Sequence, residues 1–123
     1  MTQEDKELLL KDLCARLPYG VKINENTQGD FTVIGLTMER VFTTCETEGC
    51  HNDFPVECVK PYLLPLSSMT EEQEKEYNNL NCYELGCFPH SEEALDYLTK
   101  NHFDYRYLIE KGLALDATGL GIY

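Results

Sequence analysis

The stretch Val21-Lys22-Ile23-Asn24-Glu25-Asn26-Thr27-Gln28-Gly29-Asp30-Phe31-Thr32-Val33-Ile34-Gly35-Leu36 decides the fold class. Val21 and Ile23 alternate with Lys22 and Asn24, the two-residue period of a strand with one buried face. Residues 26–30 are turn chemistry, short polar side chains that bond their own backbone and a glycine that accepts positive φ. Phe31 and Val33 resume the alternation, and the phase slips at Ile34-Gly35-Leu36. A slip at a glycine predicts a β-bulge or a strand bend. The β-branched and aromatic run 40–44 predicts a further strand. Residues 54–59 predict another, with Pro55 confining its start to a sheet edge. Between them, polar residues 44–53 with Gly49 predict an exposed loop.

On the N-terminal side, Leu9, Leu10, Leu13, Cys14 and Leu17 recur at three- and four-residue steps, one face of a helix over 2–17. Thr2 with Asp5 resembles a capping box, and Glu4, Asp5 and Glu7 sit where the helix dipole favours negative charge. Pro18-Tyr19-Gly20 ends the helix. On the C-terminal side, Pro61 and Pro65 forbid a helix interior. Tyr62, Leu63, Leu64 and Leu66 then read as an extended apolar strap laid across the core. Thr70-Glu71-Glu72-Gln73 is a capping box for a polar helix to about Leu80. Residues 81–90 form a polar connection. Ser91 can cap a helix in which Ala94, Leu95, Leu98 and His102 share a face. Asp104 can cap a last short helix with Tyr105, Leu108 and Ile109, closed by Gly112 in a left-handed cap. Leu113, Leu115, Leu120 and Ile122 make a tail too apolar to be left loose. The expectation is an α+β fold over residues 1–123: an N-terminal helix, a small antiparallel sheet and C-terminal helices in a single compact domain.

Twenty-two acids against ten bases give a formal net charge of -12. That balance excludes a generic nucleic-acid binder, which needs a basic footprint, and disfavours an anionic membrane surface. No apolar run reaches the roughly 18–20 residues of a membrane-spanning helix. The first residues carry no basic segment followed by an apolar one, so a cytoplasmic location is expected. In that compartment the six cysteines read as reduced thiols, and no disulfide is needed for folding. Cys14 and Cys58 read as small buried hydrophobes. Cys45-x4-Cys50-His51 and Cys82-x4-Cys87-x2-His90 offer one alternative, a zinc site on Cys45, Cys50, Cys82 and Cys87. Their spacing is at the wide edge for such pairs, and ordinary thiols are the favoured reading. Neither a metal nor a cofactor is expected.

No catalytic residue emerges. Neighbours such as Cys50 and His51 point to opposite faces of an extended chain, and acidic surroundings raise a thiol pKa. The carboxylate pairs Glu71-Glu72 and Glu92-Glu93 lie in helix-starting segments rather than a dry cleft. No phosphate-cradling glycine motif and no Gly-x-Ser-x-Gly occurs.

The charge distribution is the most usable signal. From Ser68 to Leu98, eight acids face one base, Lys75, so this stretch holds -7 of the total. Such a surface can meet a basic patch and speed encounter. Glu72, Glu76 and Glu93 are the candidate contacts. A competing surface is the aromatic C-terminal third, with Tyr97, Phe103, Tyr105 and Tyr107, and Arg106 as a surface cation.

Three blocks carry a resemblance: 2–10 with 14–21, then Lys60-Pro61-Tyr62-Leu63-Leu64-Pro65-Leu66-Ser67-Ser68-Met69-Thr70, then His102-Phe103-Asp104-Tyr105-Arg106 with 108–114. Together, over roughly half the chain, they resemble a family of small uncharacterised proteins of gut anaerobes and their phages and mobile elements. The resemblance implies a phage or mobile-element setting and brings no functional residue with it. The function expected is a non-enzymatic acidic binding protein acting on a protein partner with a basic patch, as an inhibitor of a host nucleic-acid-handling or defence protein. The alternatives are a module that sequesters a signal nucleotide through a local basic pocket (Lys60, Arg106 or Lys111), or a small cysteine or carboxylate hydrolase.

Overall fold

The computed structural model describes residues 2–44, 51–80 and 92–123. Helix α1 spans Gln3–Arg16 and opens at Thr2, whose hydroxyl accepts the Asp5 N–H at 3.1 Å. The 3-10 turn Leu17–Tyr19 carries Pro18 near its start, and Gly20 closes it at φ 67, a conformation that favours glycine. Strands β1 (Lys22–Glu25), β2 (Gly29–Leu36), β3 (Arg40–Thr44) and β4 (His51–Pro55) form an antiparallel meander. The half-way register shift falls between Val33 and Gly35, so Ile34 is the extra residue of the bulge and is exposed. In the β1–β2 turn the Glu25 carboxylate accepts from the Thr27 hydroxyl at 2.7 Å and from the N–H groups of Thr27 and Gln28. These bonds, the Thr27 hydroxyl first, hold its pKa below the ordinary carboxylate value.

After a 3-10 turn over Val56–Cys58, strand β5 (Val59–Pro65) runs antiparallel to β1 through Ile23 and Pro61. It then pairs in parallel with two short strands, β6 (Phe103–Asp104) and β7 (Leu115–Asp116). The sheet is therefore mixed, in the order β4-β3-β2-β1-β5-β6 with β7 also on β5. Two expectations change here. The sheet is not purely antiparallel, and the proline-bearing strap is a strand within it. The prolines fit because the bonds that fasten this strand to its later partners need no proline N–H. Leu64 N–H donates to His102 O at 2.8 Å, and Leu63 O accepts from Ala117 N–H at 2.9 Å.

The core lies between α1 and one face of the sheet. Leu9 and Leu13 meet Val21, Ile23, Phe31, Val33, Val41, Phe54, Val56, Val59 and Leu63, and Leu108, Leu113 and Ala114 close the layer. Each of the larger side chains contributes roughly 1.5–3 kcal/mol by leaving water. The helix buries the stripe Leu9, Asp12, Leu13 and Arg16, and Leu10 and Leu17 pack against the same core, so of the five residues expected on the apolar face only Cys14 turns away from it. Cys14 is consequently exposed rather than buried. Cys58 is exposed too, because the 3-10 turn breaks the alternation that would have turned it inward.

Helix α2 (Glu71–Leu80) opens on a reciprocal capping box: Gln73 N–H donates to the Thr70 hydroxyl at 3.2 Å, and Thr70 N–H donates to Gln73 Oε1 at 2.9 Å. Helix α3 (Glu92–Lys100) buries Ala94, Leu98 and Thr99. The last element is a single turn rather than a helix. Asp104 accepts the N–H groups of Leu108 and Ile109, each at 2.9 Å. Gly112, at φ 75, closes the turn in a Schellman arrangement: Leu113 N–H to Leu108 O at 2.9 Å and Gly112 N–H to Ile109 O at 3.1 Å. The whole is a single α+β domain. Among the described residues, no helix is long and apolar enough to cross a membrane.

Candidate functional site

Helices α2 and α3 pack on each other and carry the acidic segment. Helix α2 buries none of its residues, and Glu71, Glu72, Glu74 and Glu76 are all exposed beside the single base Lys75. Helix α3 adds exposed Glu92, Glu93 and Asp96. Glu72, Glu76 and Glu93 all stand on this surface. Burial, then hydrogen bonding to Glu76 and the Glu76 charge, raise the pKa of the half-buried Tyr97 on α3 above its ordinary value. Glu84 and the candidate zinc ligands Cys45, Cys50, Cys82 and Cys87 lie outside the described residues. Among the described ones, no group of three or more His, Cys, Asp or Glu is placed to hold a metal ion.

The aromatic surface proposed from sequence does not assemble. Phe103 is only 1% exposed and belongs to the interior. Arg106 is not a surface cation. Its Nε lies 3.7 Å from Asp12 Oδ1, and its Nη2 donates to the Tyr105 hydroxyl at 3.1 Å. The Tyr105 ring lies against both guanidinium groups, 5.4 Å from Arg16 Cζ and 4.8 Å from Arg106 Cζ, and its hydroxyl is 3.0 Å from the Thr99 hydroxyl. Of the four rings, only Tyr107 is largely open, at 55%. It sits at φ 60, a left-handed conformation uncommon for a side-chain-bearing residue.

This region hides a cluster that the periodicity did not announce. Asp12 and Arg16 are both fully buried, one helical turn apart, with Arg16 Nε donating to Asp12 Oδ2 at 2.9 Å. The guanidinium also donates to Thr99 O at 3.4 Å and to Phe103 O at 2.5 Å, which ties α1 to the end of α3 and to β6. Beside it His102 is buried at φ 61, stacked on Tyr123 with centroids 3.9 Å apart. Burial first, then the Arg16 charge, pull the His102 pKa down to about 4 against a weaker opposing bond to the Tyr19 backbone. The sequence signal was present in the spacing 9-12-13-16, a helical stripe that includes a carboxylate and a guanidinium four residues apart.

The outer face of the sheet carries the other candidate. Cross-strand pairing sets Lys22, Thr32, Thr44 and His51 in one polar row. A cleft of about 550 Å³ opens over it, lined by Lys22, Asp30, Thr32, Thr44 and Tyr62 and walled by Gly121 and Ile122. Asp30 Oδ1 accepts from Asn24 Nδ2 at 2.8 Å and from the Tyr62 hydroxyl at 2.7 Å. The wall is fixed by Tyr123, whose hydroxyl accepts from Lys22 N–H and donates to Tyr62 O, both at 2.9 Å. These are the groups that the next rung of the β1–β5 ladder would join, so the phenol replaces that rung. Burial pushes its pKa up to about 12. Comparison with protein-family profiles, with curated proteins and with solved structures finds no match for this chain.

Proposed function

We propose that the protein is a non-enzymatic binding domain whose acidic α2–α3 surface docks on a basic patch of a protein partner. One observation carries this reading: α2 buries none of its own residues yet spends four of its ten positions on exposed glutamates. α2 packs on α3 without burying a side chain fully, and it projects its charge where solvent and a partner can reach it. In the mobile-element setting that the sequence resemblance implies, the partner is a host nucleic-acid-handling or defence protein, whose own basic channel supplies the complementary charge.

The test begins with capture of the partner by cross-linking in host lysate. Affinity is then measured from low to high salt. Screening shortens the reach of exposed charges from ~10 Å at 0.1 M to ~3 Å at 1 M, so binding should weaken steeply. Glu72→Lys with Glu93→Lys should slow association more than it speeds dissociation. Glu76 is left intact in this pair because its charge also acts on Tyr97. Affinity that is indifferent to salt but lost in Tyr107→Ala would overturn the acidic surface and move recognition to Tyr107, the most open of the four candidate rings.

A further inference from the structure

We propose that the cleft on the outer face of the sheet is a binding site for a small, net-neutral polyhydroxylated molecule of monosaccharide size. Its volume of about 550 Å³ lies within the range of small-molecule sites. Its wall is organised before any ligand arrives. Tyr123 is fastened through two hydrogen bonds to β1 and β5 and through its stack on His102, and it positions Gly121 and Ile122 beside the floor. A preformed wall removes part of the ordering cost of binding.

The polar groups select the ligand chemistry. Among the described residues, both donors that reach Asp30 converge on Oδ1, and none is given to Oδ2, which stays an acceptor. A ligand seated beside Asp30 must therefore offer a hydrogen, as a hydroxyl does. The Thr32 hydroxyl on the floor can donate and accept, which matches hydroxyls again rather than a group of one sense only. The Tyr62 ring adds an apolar surface for the C–H face of a sugar ring. Charge argues against an anion: among the described residues the cleft lining holds one lysine and one aspartate, on a chain of net charge -12. A phosphate-bearing ligand would meet Asp30 with, among those residues, Lys22 alone to offset its charge. The site is distinct from the α2–α3 surface and none of its lining residues belongs to those helices.

The experiment is an amide-resolved NMR titration of the full chain with D-glucose, D-galactose and D-ribose, with glycine and AMP as charged counter-probes. At least one sugar should give saturable shifts at Lys22, Asp30, Thr32 and Thr44. Asp30→Asn should weaken that sugar roughly tenfold, because an amide nitrogen or a neutral oxygen replaces the charged acceptor. Its unchanged remaining spectrum shows that the fold persists, as expected for an exposed position. Thr32→Val supplies a second, independent loss. The proposal is overturned if no sugar gives saturable shifts in the cleft, if glycine or AMP binds there more tightly than every sugar, or if the sugar shifts survive both substitutions.

Discussion

Replacing Arg16 with methionine should destabilise the protein by about 3–5 kcal/mol, the cost of leaving a buried ion without its partner. The side chain is fully buried and makes three hydrogen bonds, to Asp12 and to the carbonyls of Thr99 and Phe103. Methionine fills much of the same space but donates nothing. Two carbonyls lose a donor at roughly 1–3 kcal/mol for each that stays dry. Asp12 is not wholly abandoned, because Arg106 stands 3.7 Å from its Oδ1, so the loss should fall near the lower end. Asp12→Ala should be worse. It leaves two guanidinium groups against one tyrosine ring with no carboxylate between them. Against a total stability of about 5–15 kcal/mol, even 3 kcal/mol is a large share. Urea unfolding should show the midpoint falling by about 1–3 M, given a slope of about 1–3 kcal/mol/M. A midpoint within about 0.3 M of the parent for Arg16→Met, or Asp12→Ala milder than Arg16→Met, would refute the argument that a dry, charge-balanced cluster ties α1 to α3 and β6.

Two further outcomes follow from backbone and protonation. Gly112→Ala should cost about 1 kcal/mol in a thermal or urea melt, because Gly112 holds φ 75; a Cβ there meets no neighbour within 4 Å, so the strain is purely conformational and a neutral result would mean the closing turn has relaxed. His102 has a folded pKa near 4 against 6.5 unfolded, so the unfolded chain binds the proton first; the stability it contributes is full above pH 6.5 and is lost as pH falls towards 4, and His102→Asn, which tolerates the same φ, should flatten that part of the stability–pH curve.

Local chemistry was legible where it was self-contained. The Thr70–Gln73 box, the bulge at Ile34 and the left-handed Gly112 depend on a few adjacent residues, and each forms as its sequence dictates. Long-range pairing was not. Pro61 and Pro65 disfavour a strand on local grounds, and it is the distant partners of β5, β1 on residues 59–61 and the later segments on residues 62–65, that make the strand. β6 and β7 are two residues each, too short to show any period. In α1 the charges of Asp12 and Arg16 drew no attention in the sequence, because the groups that hold Arg16 inside, the Thr99 and Phe103 carbonyls, lie 83 and 87 residues away. The acidic surface was visible as composition, but the influence of Glu76 on Tyr97 was not, because Tyr97 lies on another helix. The cleft was invisible for the same reason: its residues come from four strands and the 121–122 segment.

The mixed pairing of β5 sets an order of events in biosynthesis. The meander and the β1–β5 ladder can close once the ribosome has passed residue 65. β6 and β7 arrive only with residues 103–104 and 115–116. At roughly 5–20 residues per second, about 50 residues of delay is a wait of about 3–10 s. Through that interval the second half of β5, Tyr62-Leu63-Leu64-Pro65, has its hydrogen-bonding groups unclaimed by their native partners. Such an edge invites strand addition from neighbouring chains. The two prolines that obscured the strand have a second role here. Each removes one donor from the waiting edge, so a partly made chain is a poorer template for aggregation than an all-N–H strand of the same hydrophobicity. Pro61→Val and Pro65→Val are thus changes whose damage would show in the yield of soluble protein during synthesis more than in the equilibrium stability of the finished fold.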